Sequence, residues 1–371
     1  HTYEYADMRK GFHPDWNSYV FNYKRGEVKS FLISSARFWI DRFHIDGLRV
    51  DAVSSMLRLD YSRKEGEWEP NEMGGDGNLE AIAFIKDLNE TLYRDFPDIQ
   101  TIAEEATDWP GISKPTFMDG LGFGMKWMMG WMHDTLSYFK TDPIMRAGVQ
   151  DKFSFSMMYY YNENFMLPLS HDEVVHGKSP MIYKMPGDEW QKFANLRLLY
   201  GYMFTHPGTK LLFMGCEFGQ SAEWNFEGSL DWHLLQYDFH DGIKKTITDL
   251  NALYKNYPAL HEKQFSPEGF EWINYSDHHN AVMAYIRKGN NPKEDVIVVC
   301  NFTPVVRKNY RIGLPQKGKL VEIFNSDAEI YGGSGVANPG KLTIENSPYD
   351  GRDYSVALDL APLAVMVFRV S

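Results

Sequence analysis

Three acidic residues have the types and placement to do chemistry. Asp51 ends IDGLRVDA (45–52), Glu104 ends DIQTIAEE (98–105), and Asp172 follows the apolar run in NFMLPLSHDE (164–173). Each run is short, apolar and strand-like. Ligands of parallel α/β folds bind outside the carboxyl ends of the strands, so three acids at successive strand ends converge on one place. Two carboxylates of unlike pKa are what retaining glycoside cleavage needs, one as nucleophile and one as general acid/base. Arg49 lies two residues before Asp51 on the same strand face, where its charge would keep a nucleophile ionised. The acid needs drier or more negative surroundings, and Glu105 follows Glu104. A third carboxylate can stabilise positive charge in an oxocarbenium-like transition state. His171 precedes it.

Taken singly, these signals are weak. An acid at a strand end is commonly a solvated turn residue or a helix N-cap, and an Arg two residues from an Asp is commonly a surface pair. The joint arrangement carries the argument. His171 and His176 in HDEVVH follow a strand and do not have the helical H-E-x-x-H zinc spacing, so no metal is expected.

The elements that must hold these residues alternate. Val28, Phe31, Leu32, Ser35, Trp39 and Phe43 recur at spacings of three and four and predict a helix over 27–43. Leu79, Ile82, Ile85, Leu88, Leu92 and Phe96 make a second helical stripe before the 98–105 strand. GLGFGMKW (120–127) reads as a further strand, 188–204 as a helix and KLLFMG (210–215) as a strand. Pro168 argues against a ladder donor at its position. Helices alternating with buried strands imply βα units and a parallel sheet. After a helix at about 241–256 the pattern becomes strand-rich: AVMAYIRK, DVIVVCNF, KLVEIFN, SVALDL and LAVMVFRV are separated by turn residues. The expected organisation is a catalytic α/β part at 1–260 and a β-sandwich at 261–371.

Composition narrows the partners. The chain has 371 residues, 43% hydrophobic and 24% charged, which suits a globular protein of roughly two or three domains. A formal charge of −12 with no basic block disfavours nucleic acid and anionic lipid. No apolar run approaches the roughly 20 residues of a membrane span. Two cysteines, Cys216 and Cys300, make no disulfide framework and read as free thiols. Aromatics at 15% are mostly core, with a share available to stack flat sugar faces. The chain opens at His1 without a signal peptide, and is expected to be a piece of something longer.

DGLRVDAVSSM (46–56), TIAEEATDWPG (101–111) and LPLSHDEVVHGK (167–178) resemble three of the four signature blocks of the α-amylase superfamily, glycoside hydrolase family 13. DYSRKEGEWEPNEMGG (60–75), GMKWMMGWMHDTL (124–136), MPGDEWQKFANLR (185–197) and SLDWHLL (229–235) are similar to its bacterial branching enzymes. The resemblance runs through essentially the whole chain. It implies a (β/α)8 barrel with a C-terminal β-sandwich. About five βα units would be present, since the first signature block has no counterpart here. It also implies a retaining transglycosylase that cleaves α-1,4-glucosidic bonds and rebuilds α-1,6 branches on amylose or glycogen. Such an enzyme works without a cofactor, in the cytoplasm. On this likeness Asp51 is the nucleophile, Glu104 the acid/base and Asp172 the transition-state stabiliser, helped by His171 and Arg49. Trp109, Trp127, Trp131 and Trp224 are candidates for stacking or groove residues, with core packing an equal alternative. An α-glucan hydrolase of the superfamily and a non-catalytic glucan-binding fragment are the competing readings. One departure is Cys216 in MGCEFGQ, where relatives usually carry Asn.

Overall fold

The computed structural model describes residues 2–371. Strands β1 (Gly47–Val50), β2 (Gln100–Ala103), β3 (Met125–Trp127), β4 (Phe165–Leu169) and β5 (Thr209–Leu212) follow one another in sequence order in one five-stranded sheet. β1 and β2 pair in parallel from Gly47 opposite Gln100 to Val50 opposite Ala103, and Ala103 pairs with Lys126 of β3. Gly47 is required at this edge, because a Cβ there would lie 2.5 Å from the Gln100 carbonyl oxygen. The chain forms two compact units, one of residues 1–129 and 162–166, the other of 130–161 and 167–371.

In the first unit, helix α1 (Gly26–Phe43) leads into β1. It ends at His44 in left-handed conformation (φ 51°), whose N–H is given to the Ile40 carbonyl. The helix Leu79–Asp95 is capped by the Asn78 side chain, which accepts from the Ala81 N–H at 3.2 Å, and it buries Phe84, Ile85, Leu88 and Leu92. These pack with Val53, Leu57, Ile99 and Ala103 into one core. α1 differs from that pattern. Only Val28 and Ile40 are buried along it, while Phe31, Phe38, Trp39 and Phe43 are each about half exposed; the last three pack on one another, and Phe31 meets Tyr3.

In the second unit, the helix Glu189–Thr205 starts with a capping box between Asp188 and Gln191. It buries every residue from Phe193 to Thr205. Gly201 lets it lie against the strand Ala364–Val370, since a Cβ there would meet the Val365 side chain at 1.9 Å. That strand belongs to a six-stranded antiparallel sheet, in the order Leu342–Thr343, Lys319–Asn325, Ala364–Val370, Val296–Asn301, Val282–Arg287, Phe270–Asp277. A second sheet pairs Arg307–Leu314 with Tyr354–Leu360, and side chains of both sheets form one core. The central strands are buried on both faces, which explains why they read as unbroken apolar runs rather than alternating ones.

Candidate active site

In the first unit the chain turns sharply after β1. Ala52 takes a left-handed conformation (φ 46°, ψ 45°), which is strained for a residue with a Cβ. Glu104 makes three hydrogen bonds that hold the turn. The Glu104 N–H donates to the Val50 carbonyl at 2.9 Å, its carbonyl accepts from the Val53 N–H at 2.9 Å, and its carboxylate accepts from the Ala52 N–H at 2.7 Å. Backbone and side chain of one residue thus fix the turn that presents the other.

Arg49 joins the two acids. Its Nη1 is 2.9 Å from Asp51 Oδ1 and its Nη2 is 3.7 Å from Glu104 Oε2. The environments of the acids differ: the Asp51 side chain is 77% exposed and that of Glu104 17%. The guanidinium lies over the Trp127 ring, 4.1 Å from its centre. Tyr61 completes the surroundings. Burial first, and then the negative charges of Glu104, Asp15 and Glu105, push its hydroxyl pKa up.

In the second unit, β4 ends in a single 3-10 turn, His171–Glu173. Pro168 sits inside β4, all five of whose residues are buried. His171 Nε2 is 3.3 Å from Asp172 Oδ1, and both side chains are part-exposed. Glu223 accepts from the N–H groups of Gly177 (3.0 Å) and Ser179 (2.6 Å), which tie the loop after Asp172 down and hold the Glu223 carboxyl below its usual range. His176, Gly177 and Ser179 of that loop all have positive φ.

The matching family models are the α-amylase catalytic domain over residues 13–284 and the α-amylase C-terminal all-β domain over 272–371. This chain belongs to the α-amylase family. Its parallel strands and all-β domain are the C-terminal part of that family's (β/α)8 barrel architecture and the domain that follows it. It is 58% identical, over its whole length, to the 1,4-alpha-glucan branching enzyme GlgB of Aquifex aeolicus, of which it covers 58%. It is 57% identical to the enzyme of the same name from Rubrobacter xylanophilus and 56% to that of Thermosynechococcus vestitus, again over its whole length, covering 51% and 48% of them. The chain therefore spans about half the length of the curated relatives it matches. In fold it is similar to Ttha1563 from Thermus thermophilus (TM-score 0.63, 16% identity, 100% of this chain and 70% of that one). It is similar too to the α-amylase from H. orenii (TM-score 0.59, 14% identity, 96% and 67%).

Within this amylase-family frame the four tryptophans divide. Trp109 is half-buried, with the Arg58 guanidinium 5.5 Å from its ring centre. Trp224 is half-buried beside Phe213 and His171, at centroid distances of 5.1 and 6.1 Å. The stacking expectation needs correction for the other two. Trp131 is 1% exposed and stacks on Tyr202, and Trp127 is 5% exposed beneath Arg49, so neither ring offers a sugar a free face. Sequence reading missed Lys126, a lone lysine in an apolar strand. That isolation was the available signal, because a lysine there needs a buried partner. Cys216 is buried, and burial pushes its thiol up to about 12. Among the described residues no cluster of His, Cys, Asp or Glu could hold a metal ion, and no helix is long and apolar enough to cross a membrane.

Proposed function

We propose that this chain carries the catalytic carboxylates of a 1,4-α-glucan branching enzyme, within a catalytic part at 1–260 followed by the β-sandwich at 261–371. The observation that carries the reading is the single Arg49 guanidinium within reach of both Asp51 and Glu104 at the ends of neighbouring parallel strands. The branching-enzyme names of relatives at 56–58% identity support it.

In this reading Asp51, exposed and paired to Arg49, attacks C1 of an α-glucan and forms the glycosyl ester. Glu104 protonates the departing 4-oxygen, then takes the proton of the incoming 6-hydroxyl. Asp172, with His171, holds sugar hydroxyls and stabilises the charge of the transition state. Trp109 and Trp224 remain candidates to line the glucan groove. The half-exposed aromatic face of α1 would be covered by polypeptide beyond these 371 residues, in keeping with the greater length of the relatives. The buried free thiols fit a cytoplasmic location.

The test is linkage analysis of amylose incubated with a polypeptide containing this chain. Branching raises the α-1,6 content while the number of reducing ends stays constant. A rise in reducing ends without new α-1,6 linkages would instead identify a hydrolase.

A further inference from the structure

We propose that Lys126 is a positioning residue for Glu104 and acts through Glu105; the proposal rests on the acid/base reading of Glu104. The Glu105 side chain is fully buried, and its Oε2 lies 2.6 Å from Nζ of Lys126, whose side chain is 8% exposed. A buried ion pair is a poor source of stability, because desolvating two charges offsets most of their attraction. Its presence here calls for another reason, and its hydrogen bonds supply one.

The other side-chain bonds of the pair go to the turn at 104–107 and to the helix that follows Asp51. Glu105 Oε1 accepts from the Thr107 N–H at 2.8 Å, from the Thr107 hydroxyl, and from the Ser54 hydroxyl at 3.0 Å. Ser54 Oγ in turn accepts from the Ala106 N–H at 3.3 Å, and Lys126 Nζ donates to the Thr107 carbonyl at 3.1 Å. Residues 104–107 are thereby latched to the short helix Val53–Leu57, which begins two residues after Asp51. The pair ties the turn carrying the acid to the turn carrying the nucleophile. A retaining mechanism needs that constraint, since its two carboxyls must stay roughly 5–5.5 Å apart. The next residue, Trp127, supports Arg49 from the same strand. Two neighbouring residues of β3, Lys126 and Trp127, therefore steady the Glu104 turn and the cation shared by the two acids.

Lys126→Met, Glu105→Gln and Glu104→Gln separate positioning from plain structural support. Each is prepared in a polypeptide that contains this chain and branches amylose. Two reactions are compared: turnover of amylose, and formation of the covalent glycosyl-enzyme from α-maltosyl fluoride, followed by intact mass. In the second, the C1–F bond breaks, fluoride leaves with the bonding electrons, and an Asp51 oxygen bonds to C1. Fluoride needs no proton to leave, so that step does not depend on where Glu104 points. Lys126→Met is expected to lower kcat on amylose about 10–100-fold with little change in KM, while labelling by the fluoride stays near the parent rate. Both reactions falling in the same proportion, or an unchanged kcat in a folded variant, would overturn the proposal. If Lys126→Met does not fold, Glu105→Gln decides by the same criterion. Glu104→Gln is the control for the underlying reading. If it too loses both reactions equally, Glu104 is not the acid, and it is the functional reading that fails.

Discussion

Around Arg49 in the first unit, cation and carboxylates face one another, with Asp51 reaching solvent; in the second unit the largest buried cations are sealed in and face carbonyls. Arg49 is shared between two carboxylates, one of them mostly exposed. Arg146, Arg197 and Arg287 are at most 1% exposed and donate to backbone carbonyls. Arg287 reaches those of Thr205 (2.7 Å), Leu260 (3.0 Å) and Gly269 (3.3 Å), and Arg197 that of Ser326 (2.8 Å). Burial pushes Arg146 and Arg197 down to about 10, which still leaves them charged at neutral pH. The helices differ in the same way: α1 buries two of its residues, whereas Glu189–Thr205 buries thirteen in a row. In the proposed reading Arg49 serves the acids while the three sealed arginines brace the backbone, and the two uses respond differently to mutation.

The largest effects belong to the first unit and to activity alone. Asp51→Asn is expected to bring branching below detection with folding and glucan affinity retained, because an amide cannot form the ester. Glu104→Gln should lose about 10²–10⁴-fold. Activated substrates with good leaving groups should partly restore the first step in Glu104→Gln and not in Asp51→Asn. Affinity and initial-rate measurements on both variants check this, and equal rescue would erase the distinction between the acids.

Arg287→Met should do the reverse. It leaves three buried carbonyls without their donor, so a loss of about 3 kcal/mol in denaturant unfolding is expected. An unchanged midpoint would remove the scaffolding role from the comparison.

Acid should weaken the second unit through His206. Burial holds this histidine down to about 3, against about 6.5 in an unfolded chain. Folded, it stays neutral while the unfolded form takes up a proton. Its contribution is therefore fully present above about pH 6.5 and is lost progressively as pH falls toward 3. His206→Gln should flatten the unfolding midpoint over that window, and an unaltered slope would contradict the assignment.

The smallest effect is expected on α1. Trp39→Gln and Phe43→Gln alter half-exposed rings, so stability of the 371-residue chain should move by about 0.5 kcal/mol or less while self-association measured by light scattering falls. A large destabilisation would mean that the face is already covered.

These contrasts show what was legible in the residues. Period and punctuation located the main helices and the five parallel strands, because burial imposes those periods. They overran the strand ends: the 45–52 run forms a strand only over Gly47–Val50. The remainder is the Ala52 turn, held by Glu104 from 52 residues away, a contact no local pattern contains. Phe270–Asp277 and Arg307–Leu314 were missed because polar residues and register shifts break their alternation. The helix Met129–Lys140 was missed behind its run of methionine and tryptophan. The candidate acids were singled out by their place at strand ends. The aromatic stripe of α1 was read correctly as helical, but periodicity says nothing about whether a face is covered.

The central claim is that Asp51 forms a covalent bond to the sugar while Glu104 handles the proton. The most direct measurement is peptide mapping by mass spectrometry after trapping with a fluorinated maltosyl fluoride, whose glycosyl-enzyme turns over slowly. One glycosylated peptide is expected, with the added mass on Asp51, and none in Asp51→Asn. A label on Glu104 or Asp172, or catalysis by inversion with no covalent intermediate, would contradict it.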